Sequence, residues 1–281
     1  MKIKVPATSA NLGVGFDCLG AAFNIYNEFE FILCDDYKLE GFPSFIHEDD
    51  NLVQLAYKTF LTMYGYSTED YPVMIRLVEQ NIPLSRGLGS SASCIVAGVL
   101  AANTLTKENA SLEDCAALMA EIEGHPDNVY AAVYGGVVTV FKGDIYYSHS
   151  IDVNVDYKFY ICGTDKLAST ALLRGALPNT VDLSDAVFNL SRGLQLGVAL
   201  RGNDLHFLSE VLQDKLHQQY RAKFIPEFKE FCALVEEQDG ILLISGSGSS
   251  LLIVTTEDII VDLPNYEIRE VILSKGAFIC E

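Results

Sequence analysis

Basic residues are scarce in this chain: 19 lysines and arginines stand against 38 aspartates and glutamates, for a formal charge of -19. Spread without long acidic blocks, that balance argues against a protein that grips nucleic acid through a basic face, because phosphate contacts need clustered cations. The seven cysteines (Cys18, Cys34, Cys94, Cys115, Cys162, Cys232 and Cys280) form no Cys-x-x-Cys pair and no metal-type spacing, and their number is odd. Reduced thiols in a cytoplasmic protein are the expectation. The opening Met1-Lys2-Ile3-Lys4-Val5-Pro6 lacks the apolar stretch of a signal peptide, and no run approaches the ~20 residues of a membrane span. Secretion and membrane insertion are therefore not expected, and no repeat or low-complexity tract is visible. What is present is 281 residues, 49% of them hydrophobic, enough for one large domain or two modest ones. With so few cations, any anionic ligand must be held by local geometry.

Residues 83–93 offer such geometry. They read Pro83-Leu84-Ser85-Arg86-Gly87-Leu88-Gly89-Ser90-Ser91-Ala92-Ser93, and the apolar run Cys94 to Ala102 that follows has the look of a buried helix. Gly87 and Gly89 permit positive φ and close backbone approach, while Ser90 and Ser91 can cap the helix and present hydroxyls to phosphate or a metal. A helix start concentrates unpaired N–H groups and the positive end of the dipole, so polyanion binding needs no lysine. The Walker signature would end in Gly-Lys-Ser/Thr, and no lysine occurs in this loop. The dinucleotide fingerprint would need a third glycine where Ala92 stands. Taken alone, the loop is either plain capping or a nucleotide cradle.

Periodicity supplies the frame. Phe29–Leu33, Val73–Leu77 and Val137–Phe141 read as strands, as do Phe159–Cys162, Ile241–Ile244 and Leu251–Val254. Helical spacing recurs over 51–64 through Leu52, Leu55, Ala56, Phe60 and Met63, and again from Ser111, whose spacing to Asp114 marks a helix start. Further helices are expected near 184–201, 204–215 and 227–237. Strands and helices without a strict βαβ repeat indicate an α+β protein. Residues 151–156 read as a linker or an edge strand, which sets expected domains of 1–152 and 153–281.

Several segments together resemble the GHMP kinases. The loop 83–93 is that family's middle motif, and Ser245-Gly246-Ser247-Gly248 fits its third. Pro6 to Gly20 (Pro-Ala-Thr-Ser-Ala-Asn-Leu-Gly-Val-Gly-Phe-Asp-Cys-Leu-Gly) is similar to the homoserine kinase version, as are Glu123-Gly124-His125-Pro126-Asp127-Asn128-Val129, Ser169-Thr170 with Arg174, Asp185–Asn189, and Leu216 to Arg221. The chain departs from the family pattern at Tyr130-Ala131 and Ser249-Ser250, without losing an ionisable group. The resemblance implies a ribosomal protein S5-like N-terminal domain that binds the nucleotide and a ferredoxin-like C-terminal domain. It also implies ATP-dependent phosphorylation of L-homoserine to O-phospho-L-homoserine for threonine biosynthesis, with Mg2+ and a homodimer. The alternatives are another GHMP small-molecule kinase or a non-catalytic regulatory binding protein of the same fold.

Site roles follow from the resemblance together with the chemistry. Residues 83–93 would hold ATP. Ser91 and Glu123 would take the metal, since Mg2+ needs only one or two protein oxygens beside phosphate; by itself Glu123 would read as a solvated glutamate. Arg174 and Arg221 would meet the homoserine carboxylate, a guanidinium matching it in a fork, though either alone reads as a surface charge. Asn11 and Asp17 would face the amino and hydroxyl groups, although beside Gly13 and Gly15 they are also ordinary turn formers. His125 and Asp127 lie beside the same expected site. Asn128 would orient the hydroxyl, because a loose phosphoryl-transfer transition state needs positioning more than an early proton removal.

Overall fold

β1 (Lys2–Asn11) and β2 (Gly15–Leu33) form a long antiparallel hairpin, and the near-continuous burial of β1 marks a strand covered on both faces. The computed structural model describes residues 1–47, 50–164 and 170–280. At nineteen residues, β2 is long enough to serve two further partners. Its Asn27–Leu33 stretch pairs with β4 (Val73–Gln80), and its Leu19–Ala21 stretch pairs with β5 (Val137–Lys142), which pairs in turn with β6 (Tyr146–Ile151). Short β3 (Lys38–Glu40) lies parallel to β4. Helices α1 (Leu52–Met63), α2 (Ser90–Thr106), α3 (Leu112–Glu123) and α4 (Asp127–Tyr134) pack on this sheet around Ile3, Phe29, Phe31, Tyr57, Phe60 and Val96. Ser111 caps α3 by accepting from the Asp114 N–H, as its spacing predicts.

The second sheet is antiparallel throughout. Its strands β7 (Lys158–Gly163), β8 (Gly240–Ile244), β9 (Leu251–Thr255) and β10 (Glu267–Val271) run in the order β10-β7-β9-β8, the ferredoxin-like arrangement. Between β7 and β8 come α5 (Thr170–Gly175), α6 (Leu183–Gly193), α7 (Leu196–Arg201), α8 (Leu205–Val211), α9 (Gln218–Arg221) and α10 (Phe228–Glu236). The two sheets share one apolar core, in which Leu19 and Phe23 of β2 meet Phe159 and Ile161 of β7 and Leu208 of α8. The Phe23 and Phe159 rings lie 5.6 Å apart.

Residues 152–157 carry the chain from β6 to β7 without strand pairing. The expected second unit, 153–281, sends its last strand, β11 (Phe278–Cys280), back to β1, with Lys2 opposite Cys280. Two helical expectations change in detail. The 184–201 helix is two, α6 and α7, broken at Leu194-Gln195 just after Gly193. The 204–215 helix stops at Val211, because the Asp214 carboxylate takes the N–H groups of Leu216, His217 and Gln218 and starts α9 instead. In α1 the buried face is Val53, Ala56, Tyr57, Phe60 and Leu61, so Leu55 and Met63 face outward. Although no hydrophobic stripe stands out in the sequence, α6 exposes one: Leu183, Val187, Leu190 and Leu194, spaced four, three and four residues apart.

Among the described residues no helix is long and apolar enough to cross a membrane.

Candidate active site

The glycine loop ends in an uncapped helix. Gly89 is the residue before α2, at φ 69, and no side chain caps the first turn; Ser90 and Ser91 are helical residues rather than caps. The N–H groups of that turn therefore have no side-chain acceptor, the arrangement that binds anions. Two glycines are required by close approach. A Cβ on Gly89 would fall 1.9 Å from Thr8 Oγ1, and one on Gly87 would fall 2.2 Å from the Ser245 carbonyl oxygen, both at positive φ. The loop is thus clamped between β1 and the 245–248 turn, where Ser245 Oγ donates to the Gly87 carbonyl at 2.7 Å. Leu84, Ser85, Arg86, Gly87, Gly89, Ser90 and Ser91 line a cavity of about 470 Å3. The Ser90 hydroxyl is buried beside it without a hydrogen-bond partner among the described residues. Leu88, Ala92 and Ser93 turn into the interior and Pro83 lies outside on the surface, so these four of the eleven do not line it.

Glu123 closes the far side. It ends α3, and its Oε2 accepts from Ser91 Oγ at 2.5 Å. Burial pushes its carboxyl above the usual range, opposed by the Ser91 hydrogen bond and by His125. Beyond the Gly124 cap, α4 presents Asp127 and Asn128 in its first turn. Asp127 Oδ1 faces His125 Nδ1 at 3.0 Å and accepts the Asn128 N–H at 2.8 Å. The hydrogen bond to Asp127 raises the His125 pKa. Thr8 Oγ1 donates to Asn128 Oδ1 at 2.8 Å while Asn128 Nδ2 points toward Asp127 Oδ1 at 3.3 Å. A flipped amide would set its oxygen against that carboxylate, so Nδ2 is the group left for a ligand. Ser91 and Glu123 are two hard oxygens at an uncapped helix start, a donor set that fits Mg2+. No cluster of three or more acidic, histidine or cysteine groups that could hold a metal occurs among the described residues. An ion here would therefore draw most of its ligands from phosphate and water.

The opposite end is built from the β1–β2 turn and two short helices. Asn11 and Asp17 sit at positive φ, with Asn11 Oδ1 accepting the Asp17 N–H at 3.0 Å and Nδ2 donating to the Gly246 carbonyl at 2.9 Å. Arg174, on α5, forks onto Asp17 through two hydrogen bonds of 3.0 and 2.9 Å, so the cation expected to be open is paired within the chain. Ser169, expected beside it, lies outside the described residues.

Arg221 is different. It ends α9, is only 2% exposed, and faces the cavity with no carboxylate in an ion pair among the described residues. Its NH1 donates to the Gly246 carbonyl at 3.0 Å, its guanidinium stands 5.3 Å from the Phe16 ring, and its Nε has no hydrogen-bond partner among the described residues. Burial lowers its pKa, with a further push from Arg174. A hydrogen bond to a charged group contributes about 1.5–3 kcal/mol and a cation–π contact about 0.5–2 kcal/mol. Burying an ion costs several kcal/mol, so these contacts only partly offset it. Its charge is left only partly compensated by the described residues.

Sequence reasoning overlooked two features. Thr8 joins the glycine loop to Asn128, a contact spanning 120 positions that no local pattern reveals. Phe42, Phe45, Ile46 and Leu52 form an apolar wall on the loop side of the cavity; the only available signal was their density within the short Gly41–Leu52 stretch.

Residues 51–136 match the family model described as the GHMP kinases N terminal domain. A homoserine kinase of Clostridium botulinum (strain Okra / Type B1) is 37% identical over 264 residues, covering 92% of this chain and 87% of that protein. One of Gloeobacter violaceus is 38% identical over 264 residues, covering 92% and 88%. The crystal structure of a homoserine kinase from Cytophaga hutchinsonii superposes with a TM-score of 0.86 at 26% identity, covering 99% of this chain and 96% of that one.

Proposed function

The chain belongs to the GHMP kinase family, among its homoserine kinases, and on that footing we propose that it transfers the γ-phosphoryl group of ATP to the hydroxyl of L-homoserine. The products are ADP and O-phospho-L-homoserine, and the step belongs to threonine biosynthesis. The observation that carries this reading is Arg221: a buried cation with no carboxylate in an ion pair among the described residues, in the same cavity as an uncapped helix start. A neutral sugar would leave it unpaired. A hydroxy acid without an ammonium group that drew Arg174 to its carboxylate would leave Asp17 unpaired. A zwitterionic alcohol answers both.

In this reading the α2 N-terminus and the Ser90 hydroxyl receive the nucleotide phosphates, and the apolar wall at Phe42, Phe45, Ile46 and Leu52 receives the base. Ser91 and Glu123 hold Mg2+, which when bound neutralises charge on the phosphate oxygens. Arg221 takes the homoserine carboxylate, and Arg174 can join it by releasing Asp17, whose carboxylate then meets the ammonium. Asn11 holds the turn that carries Asp17. Asn128, steadied by Thr8 and Asp127, donates from Nδ2 to the acceptor hydroxyl and aims its oxygen at the γ-phosphorus. His125 orients Asp127. Alignment and charge neutralisation carry the transfer, as a loose transition state requires.

The reading includes a cytoplasmic location and a homodimer. The α6 stripe supports the second: its heptad-like spacing suits a helix-on-helix seam. The kinase reading is tested by ADP release with homoserine, mevalonate, galactose or no acceptor. Homoserine-dependent release is the expected result; ATP binding without release from any acceptor would overturn it.

A further inference from the structure

His217 is wholly buried, lies outside the chemistry assigned above, and touches the one cation that chemistry most depends on. Its Nε2 is 2.7 Å from the Gly13 carbonyl oxygen and its Nδ1 is 3.3 Å from Arg221 NH1. These partners fix its state. A carbonyl can only accept, so Nε2 carries the proton; a guanidinium can only donate, so Nδ1 carries a lone pair. The ring also stacks on Phe16, centroids 5.4 Å apart, and Phe16 in turn stands beneath both Arg221 and Arg174, at 5.3 and 6.0 Å. His217 is held from below by Asp214, which accepts its backbone N–H at 2.8 Å and is itself gripped by Asn189 of α6 at 2.8 Å.

We propose that His217 is a positioning residue for the acceptor: as a neutral imidazole strut between the Gly13 turn and Arg221, it aims the buried guanidinium into the cavity. It touches neither substrate nor phosphate and acts only through Arg221. This inference rests on the carboxylate-binding role given to Arg221 above. Without an acceptor at Nδ1, the guanidinium is left with the Gly246 carbonyl as its sole hydrogen-bond partner among the described residues and is free to rotate toward it. The imidazole thus couples the turn bearing Asn11 and Asp17 to the helix bearing Arg221, so the two halves of a zwitterion site keep their spacing.

Two substitutions separate the ends of the ring. His217→Asn keeps an acceptor near the Nδ1 position; His217→Gln puts its amide toward Gly13 and leaves Arg221 without one. We expect His217→Gln to raise the homoserine KM about tenfold, the effect of one hydrogen bond to a charged group, with kcat and the ATP KM unchanged. His217→Asn should stay within about threefold of wild type. Equal effects from the two variants, no effect from either, or a fall in kcat alone would overturn the proposal. Nitrogen NMR of the imidazole in substrate-free wild-type protein near neutral pH tests the same geometry without any turnover. A bare Nδ1 and a protonated Nε2 are expected, and a protonated Nδ1 overturns the strut whatever the acceptor is. Absence of homoserine turnover by the wild type would instead overturn the kinase reading.

Discussion

At the residue scale, Glu123 and Arg221 are charges whose environments do not favour them in the empty protein, and both have consequences for stability. Burial raises the Glu123 pKa above its unfolded value. Its proton therefore favours the folded state fully below the unfolded pKa, and that contribution disappears as pH rises through the folded pKa. Glu123→Gln should accordingly raise Tm at neutral pH in the absence of divalent cation, by a margin that shrinks toward pH 4, while lowering kcat at least about a hundredfold. Thermal melts across pH check the first part, and an equal Tm offset at every pH would contradict it. Arg221→Met should raise the homoserine KM by about 2 kcal/mol, roughly thirtyfold, with little loss of Tm, because the methionine buries no charge. Titration of initial rates against homoserine reads this directly. The residues legible in advance were those packed into short contiguous motifs, such as 85–91 and 123–128, where glycines and ionisable groups sit side by side. Thr8 and His217 were not legible as site residues, since Thr8 reaches Asn128 and His217 reaches the Gly13 turn across more than a hundred positions of chain. The pairing of Arg174 with Asp17 was equally hidden, because a fork between two expected ligands requires the fold to bring them together.

At the element scale, the site depends on a helix start with no side chain of its own over it. Gly89→Ala adds a Cβ against Thr8 Oγ1 at a left-handed backbone position. Left-handed strain contributes about 1–2 kcal/mol and overpacking about 1–3 kcal/mol, so a loss of about 3 kcal/mol is expected by denaturant unfolding. The ATP KM should rise with it as the first turn of α2 shifts, and a variant of wild-type stability would refute the clamp between β1 and α2. Helices α1 and α3 lie where their spacing predicts, and α2 where the unbroken apolar run Cys94 to Ala102 does. Helix α9 is four residues long and α5 six, too short for any periodic signal, yet each carries one of the arginines at the acceptor end. Which face of α1 is buried also escaped period alone: Tyr57 and Leu61 pack inward while Leu55 and Met63 of the same helix do not.

At the scale of the whole molecule, the apolar stripe on α6 lies on the surface of the second unit. Leu190→Asp should halve the mass measured by light scattering; an unchanged mass would place any dimer elsewhere. The α+β class was readable from strand and helix order and the two-unit plan from the family resemblance, whereas the shared core of Phe23, Phe159 and Leu208 was not, because it joins residues of both units. That core argues against large relative motion of the two units, so closure around substrates should fall to loops and side chains. The return of β11 to the edge of β1 bears on how the protein is made. The β1 edge at Lys2–Lys4 is translated well before its partner at Phe278–Cys280, so that edge stays open throughout the interval between them. An unpaired edge is a template for other chains, and the interval between translating Lys4 and Phe278 is when a nascent copy is most exposed to wrong pairing.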